Sequence, residues 1–453
     1  MKIIIVGCGK VGETLAAELN ETGNSIVVVD KNPAKVKNIA NRYDLMGVIG
    51  NGATIATQKE AGVDNADLLI AVTGSDELNL LCCVMAKKAG NCQTIARVKD
   101  PEYASDAPYL KDELGLAMVI NPEFAAAREI SRVLNFPTAT KIEMFSKGRI
   151  ELLQFKLHED SPLVGMSVKE ASAKLKLGVL FCAVEREGDG EPLIPNGDLV
   201  FEERDLVSIV SEPRAALDFF KKIKYKHQPV KNAIILGAKT TTHYLLELLS
   251  KTGISVKVID KSPELCDELA MQFDNAIVIN ADPSDEDLLR AEGMATADAF
   301  VTLTGLDEEN IILSLLAKKA GARKIITKIN RAEYADVVKG LELDSIVYPK
   351  NITADMILRF VRATKNKRGS TMKNLYSLAK GKIEAVEFEV YDTSPVIGVP
   401  LSKMELRPGV LIAAIMRGKN TIIPRGDTVI ERGDSMLIVT KALAITDVSD
   451  ILI

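Results

Sequence analysis

The chain begins MKIIIVGCGKVGETLAAELNETGNSIVVVD (Met1–Asp30), and these thirty residues decide the fold. A β-branched run, Ile3 to Val6, predicts a buried strand. Gly7, Gly9 and Gly12 follow it, an amphipathic stretch then predicts a helix, and a second β-branched run ends in Asp30. Gly-x-Gly-x-x-Gly alone is a weak pattern. Here it follows a strand, opens a helix, and precedes an acidic residue eighteen positions beyond Gly12, which is the context of a dinucleotide-binding turn. Gly7 permits the tight turn, Gly9 lets backbone approach a pyrophosphate, and Gly12 lets the helix pack close to the strand. The phosphates then face a helix N-terminus, where free N–H groups and the helix dipole favour negative charge. Asp30 is expected to accept hydrogen bonds from the adenosine ribose hydroxyls. Its charge repels a 2′-phosphate, which favours NAD over NADP.

Working outward, 453 residues exceed what one core organises, so several domains are expected. A net charge of -5 gives no chain-wide basic field for nucleic acid. The six cysteines lack metal-ligand spacing, no metal site is expected, and the absence of a charged-then-apolar leader before Lys2 points to a cytosolic protein. The longest apolar runs, such as VLIAAIM from Val410, are far short of the roughly 18 residues a bilayer span needs. Membrane contact is therefore expected only through a partner.

The same ordered set of segments occurs twice. NSIVVVDKNP (from Asn24) answers to ISVKVIDKSP (from Ile254), and AVTGSDELNLLCCVMAKKAG (from Ala71) to VTLTGLDEENIILSLLAKKAG (from Val301). DSPLVG (from Asp160) answers to TSPVIG (from Thr393), and LIPNGD (from Leu193) to IIPRGD (from Ile422). The front part of each copy alternates strands and helices. The back part changes rhythm to a small α+β pattern, in which Ser167 and Glu170 form a capping box. The predicted fold is α/β: two Rossmann-like doubly wound parallel sheets, each followed by a small α+β module, in tandem duplication. The expected boundaries are 1–136 and 232–362 for the sheets and 139–222 and 370–453 for the modules, with 223–231 as a charged linker.

Thr73 and Gly74 close the fourth strand at the sheet edge where ligands bind. Ser75, Asp76 and Glu77 follow and serve either as a helix cap or as ligand contacts. Arg97 ends the fifth strand, where it either meets a phosphate or makes a solvated or salt-bridged strand end. In the second copy the loop reads Gly237-Ala238-Lys239-Thr240-Thr241-Thr242, so that Lys239 and Thr242 stand in the places of Gly9 and Gly12, while Asp260, Thr304 and Gly305 are retained. This pocket is either structural and empty, or takes a mononucleotide or a phosphate held by Lys239.

Hydride transfer needs a proton donor or acceptor at the nicotinamide. His158, His227 and His243 fall outside the predicted pocket, and Tyr376 and Lys380 of YSLAK lie outside both nucleotide folds. Cys82 and Cys83 sit within an amphipathic helix and are expected to be buried. The basic stretch Arg362 to Lys373 is expected to be a solvated connector. No catalytic residue is assigned, and the protein is expected not to be an enzyme. An NAD-dependent oxidoreductase is the alternative, and a transcription factor lacks the helix-turn-helix it needs.

A Rossmann unit with VTGSDELN at its fourth strand, joined to a module carrying SPLVG and IPNGD, resembles the RCK (KTN) regulators of potassium conductance, and here the unit is doubled. The resemblance implies a cytosolic nucleotide-sensing subunit that assembles as a homo-oligomer, a dimer or tetramer, beneath a membrane potassium-transporting subunit. It implies NAD(H), or ATP or ADP, at a first site formed by Gly7, Cys8, Gly9, Lys10, Val11, Asp30, Thr73, Gly74 and Arg97. It implies a second site at Gly237, Ala238, Lys239, Thr240, Thr241, Asp260, Thr304, Gly305 and Lys328, from whose pattern Lys239 and Thr242 depart.

Overall fold

The computed structural model describes the chain except residues 176–177, 187–190, 226–228, 332–333, 335–337, 339, 342, 366–369, 392–393 and 442–444. His227, Thr393 and part of the basic stretch, 366–369, lie outside the described residues, as does the Lys380 side chain. The described residues form two compact units: 1–131 with 231–356, and 132–230 with 357–453. Each unit collects the corresponding part of both repeats.

The first unit holds two parallel sheets. In the first repeat the strands are β1 (Lys2–Val6), β2 (Ser25–Asp30), β3 (Met46–Ile49), β4 (Leu68–Ala71), β5 (Gln93–Arg97) and β6 (Met118–Ile120), in the order β3-β2-β1-β4-β5-β6. β1 pairs with β2 on one side and β4 on the other, so the strand order reverses beside β1. That reversal opens a crevice at the carboxyl edge of the sheet, where the Gly7 loop emerges. Ile3, Ile4, Leu69 and Ile70 are fully buried, as expected of strands covered on both faces by helices.

After the small module, the second repeat rebuilds this sheet, and its strand numbers follow those of that module, β7 (Lys141–Phe145), β8 (Ile150–Lys156), β9 (Val179–Glu185) and β10 (Leu206–Ser211). The second parallel sheet comprises β11 (Asn232–Leu236), β12 (Ser255–Asp260), β13 (Ala276–Asn280), β14 (Ala299–Thr302), β15 (Lys324–Lys328) and β16 (Ser345–Val347), in the order β13-β12-β11-β14-β15-β16. The doubling read in the sequence is thus a doubling of topology.

The second unit holds two antiparallel sheets, β7-β8-β10-β9 and, from the C-terminal repeat, β17 (Ser370–Leu378), β18 (Ile383–Val390), β19 (Val410–Arg417), β20 (Asn420–Ile422) and β21 (Ser435–Lys441), ordered β17-β18-β21-β19-β20. The Ser167–Glu170 capping box is formed: each residue's backbone N–H donates to the other's side chain, at 3.0 and 3.2 Å. Phe155, Phe219, Phe220 and Tyr225 pack ring against ring in the first module. Ile223, at the start of the charged segment, is buried with them. The modules also share a core, to which Phe145, Ile150 and Leu152 contribute from one and Ile383, Ala385 and Leu437 from the other. Buried Glu387 accepts hydrogen bonds from Ser146 of the first module and from Asn374 and Ser435 of its own. No helix among the described residues is long and apolar enough to cross a membrane.

Candidate functional site

The pocket is built at the crevice beside β1. Gly7 takes φ +111°, a conformation that side chains disfavour, and a Cβ there would press on the Val72 carbonyl and Thr73 amide at 2.9 Å. A Cβ on Gly12 would overlap the Gly7 carbonyl oxygen, which is why the helix can start so close to the strand. Gly9 differs: a Cβ there meets nothing within 4 Å. Its backbone therefore faces open space at the start of the helix Lys10–Glu21, whose N-terminus has no side-chain cap. An uncapped helix end carries about half a positive charge and donors turned outward, which suits a phosphate.

Asp30 ends β2 beside this turn and does more than the sequence suggested. One carboxylate oxygen accepts from the Cys8 N–H at 2.8 Å and the other from the Asn32 N–H at 2.9 Å. The reason is geometric: the tight turn leaves the Cys8 amide pointing at the end of the neighbouring strand. Asp30 thus holds the loop, and its remaining lone pairs are available for ribose hydroxyls. Cys8 is buried, and burial with the nearby Asp30 charge pushes its thiol up to about 12. It is not a nucleophile.

Thr73 and Gly74 follow β4, and Gly74, like Gly9, borders open space. Ser75 caps the helix Asp76–Gly90 by accepting from the Leu78 N–H at 3.1 Å. Of the two readings of that segment, capping accounts for Ser75. Arg97, at the end of β5, is partly exposed, yet its Nε is buried with no hydrogen-bond partner. The salt-bridged strand end is not what the structure contains. An unpartnered guanidinium donor beside an uncapped helix N-terminus is a pair of features that an anion satisfies together.

Two site-organising roles went unread in the sequence, that of Asn79 and that of Asp76, which was read as a helix-cap or ligand-contact residue. Buried Asn79 accepts from the Thr73 N–H and hydroxyl, both at 2.7 Å, and donates to the Arg97 carbonyl at 2.9 Å. It clamps the ends of β4 and β5, the strands that carry Thr73 and Arg97. Asp76 accepts from the Lys99 and Asp100 N–H groups, both at 2.9 Å, fixing the turn after Arg97. Asn310 and Asp307 do the same for Thr304, Lys328, Asn330 and Arg331 in the second repeat. The recurrence of Asp, Glu and Asn in SDELN and LDEEN was the available signal.

The second pocket repeats the frame. Gly237 has φ +103°, and Asp260 accepts from the Ala238 and Ser262 N–H groups at 2.7 and 2.8 Å. Lys239 begins the helix Thr240–Leu249, again without a side-chain cap, and Thr240 and Thr241 form its first turn. Thr304 and Gly305 follow β14, and Lys328 ends β15 at the place of Arg97. Between the repeats, a cavity of about 250 Å³ is lined by Lys10, Arg97 and Glu123 from the first and by Asp307, Arg331 and Lys350 from the second. The crevice at Lys10 and Arg97 therefore opens toward the second repeat. Among the described residues, no cluster of His, Cys, Asp and Glu could hold a metal ion. Cys82 and Cys83 are fully buried, His158 bonds Tyr225, and His243 packs on Phe273.

The TrkA-N domain model matches residues 3–122 and again 233–349, and the TrkA-C domain model matches 152–224 and 385–452. The Trk system potassium uptake protein TrkA homolog 1 of Methanosarcina mazei is 32% identical over 456 residues, covering 99% of both chains. The Trk system potassium uptake protein TrkA of Halomonas elongata is 32% identical, over 97% of this chain and 95% of its own. Among solved structures, the GsuK channel bound to NAD shares the fold with a TM-score of 0.64 at 18% identity, over 98% of this chain and 77% of that one. With both domain models matched twice in alternation and relatives aligned end to end, the chain belongs to the TrkA family of Trk-system potassium uptake proteins.

Proposed function

We propose that this protein is a nucleotide-sensing regulatory subunit that gates potassium uptake through a Trk-type membrane subunit, against whose inner face it assembles as a homo-oligomer. The observation that carries the reading is the first pocket: an open Gly9 backbone on an uncapped helix N-terminus, beside a buried, unpartnered Arg97 Nε. Those groups fit the pyrophosphate of NAD(H), ADP or ATP, and Asp30 fits the ribose shared by all three. Lys10, Val11, Thr73 and Gly74 border the same crevice. The full-length relatives named as potassium uptake proteins, and the NAD-bound channel of the same fold, support the assignment. A bound nucleotide shifts the assembly only by binding two conformations unequally. The cavity at the phosphate side, walled by both repeats, supports a mechanism in which ligands of different phosphate charge set their spacing differently.

Calorimetric titration with NAD, NADH, ADP and ATP tests this reading, using the native chain and Gly9→Val. High-affinity binding is expected in the native chain and lost in the variant. NADPH is expected to bind more weakly than NADH because of Asp30. Equal binding by both chains removes the first pocket from the account, and steady turnover of NADH with a small substrate replaces sensing by catalysis.

A further inference from the structure

The second pocket keeps the frame of the first and exchanges its contents. Where Gly9 leaves backbone open, Lys239 puts an exposed side chain whose ammonium lies over Gly305, in the space that its counterpart Gly74 leaves empty. Where Gly12 brings helix and loop together, fully buried Thr242 fills the gap, its hydroxyl donating to the Gly237 carbonyl at 2.5 Å. The Thr242 N–H is turned back onto the Lys239 carbonyl at 2.7 Å, so this helix end presents a donor fewer to a ligand. A pyrophosphate lying along the backbone, as the first pocket admits it, has lost both its clearance and part of its donor set.

The pocket has gained cations instead. Lys328 is 7% exposed and gives one proton to the Leu303 carbonyl at 3.2 Å; its other protons meet no acceptor among the described residues. Burial pushes this ammonium down to about 8, with Lys239 adding to the push and Glu123 and Asp307 opposing it. The Asp307 carboxylate is already spent on Asn330 and Arg331. Glu123 and Asp307 act on Lys328 by charge, but among the described residues no carboxylate hydrogen-bonds its ammonium, and a buried cation with unused donors beside a second ammonium and an uncapped helix N-terminus favours a bound anion.

We propose that the second pocket is a phosphate site, taking a single phosphate group between Lys239, Lys328 and the first N–H groups of the helix Thr240–Leu249, and that it does not take a dinucleotide. The group comes either from inorganic phosphate or from a mononucleotide, whose ribose then meets Asp260. The chain senses two chemistries at two matched places: a nucleotide in the first repeat and a compact anion in the second.

The test uses the full chain carrying Gly9→Val, so that the first pocket is silent, titrated calorimetrically near neutral pH with inorganic phosphate, AMP and NADH. Phosphate and AMP are expected to bind and NADH to give no saturable heat. Tighter binding of AMP than of phosphate assigns the mononucleotide; equal binding assigns inorganic phosphate. Adding Lys239→Ala is expected to weaken phosphate about tenfold, the scale of one charge-assisted hydrogen bond. Adding Lys328→Met, which keeps the buried stem, abolishes binding with circular dichroism unchanged. Absence of phosphate binding, or binding indifferent to both lysine changes, overturns the proposal. So does NADH heat that disappears with Lys328→Met, whereas NADH heat that survives that change counts against the first-pocket reading.

Discussion

At the scale of the residue, the glycines of the opening turn do different work, and the difference is measurable. Gly9 is extended, at φ −82°, with open space around its missing Cβ, so Gly9→Ala should leave the thermal midpoint unchanged while weakening NADH. Gly12→Ala drives a methyl into the Gly7 carbonyl and should destabilise the fold by about 1–3 kcal/mol. Calorimetry paired with thermal unfolding separates the two effects, and equal destabilisation by both substitutions contradicts this division of labour. Glu18 gives a pH-dependent case. Burial, then the charges of Asp355 and Glu21, push its carboxyl up to about 7. An acid whose native pKa is raised costs stability as pH climbs from its unfolded value toward 7, because over that window the unfolded chain releases the proton while the native state still holds it. Glu18→Gln should therefore raise the midpoint most above pH 7, and progressively less as pH falls toward the ordinary glutamate value; a gain that does not vary with pH argues against ionisation as the cause. The turn glycines and Asp30 were legible in the sequence because local spacing defines them. The clamping roles of Asn79 and Asp76 were not, since their partners at Thr73, Arg97 and Lys99 reach them only when β4 and β5 lie side by side.

At the scale of the element, the strands and the doubly wound parallel class followed from β-branched runs separated by helical periods, a pattern that admits few topologies once connections are short and right-handed. The packing of one repeat on the other was not readable, because it depends on single side chains that carry no periodic signal. Tyr244 is the clearest. It sits in the first turns of the helix Thr240–Leu249, donates to the Lys99 carbonyl at 3.0 Å, accepts from Asn121 Nδ2 at 2.8 Å, and meets Phe124 edge to face. Burial pushes its hydroxyl well above the usual tyrosine range, so it stays a neutral donor. Among the described residues Thr14, its counterpart in the first repeat, bonds only within its own helix. The contact therefore ties the helix of the second pocket to the turn after Arg97 in one direction. Tyr244→Phe keeps the ring contact and removes both hydrogen bonds, and should cost about 1–2 kcal/mol, read as a lower thermal midpoint. An unchanged midpoint shows that the tie carries no load. The shared core of the small modules, with Glu387 reaching Ser146, was equally invisible: near-continuous apolar strands such as VLFCAVE and SMLIVTK signal burial on both faces but do not say which surface covers the second face.

At the scale of the whole molecule, the doubled chain gives each protomer a paired set of matched sheets and a paired set of matched modules, and closed symmetry multiplies these evenly when protomers associate. In the proposed function such an assembly controls potassium uptake in response to a nucleotide, with the first pocket as its sensor. The most direct measurement is potassium flux into vesicles holding the Trk-type membrane subunit together with this protein, native or Gly9→Val, as NADH, ADP and ATP are varied. The account predicts that flux with the native chain changes with the nucleotide supplied, and that Gly9→Val assembles on the vesicles while removing the response. Flux that ignores every nucleotide, or that responds identically with Gly9→Val, contradicts it.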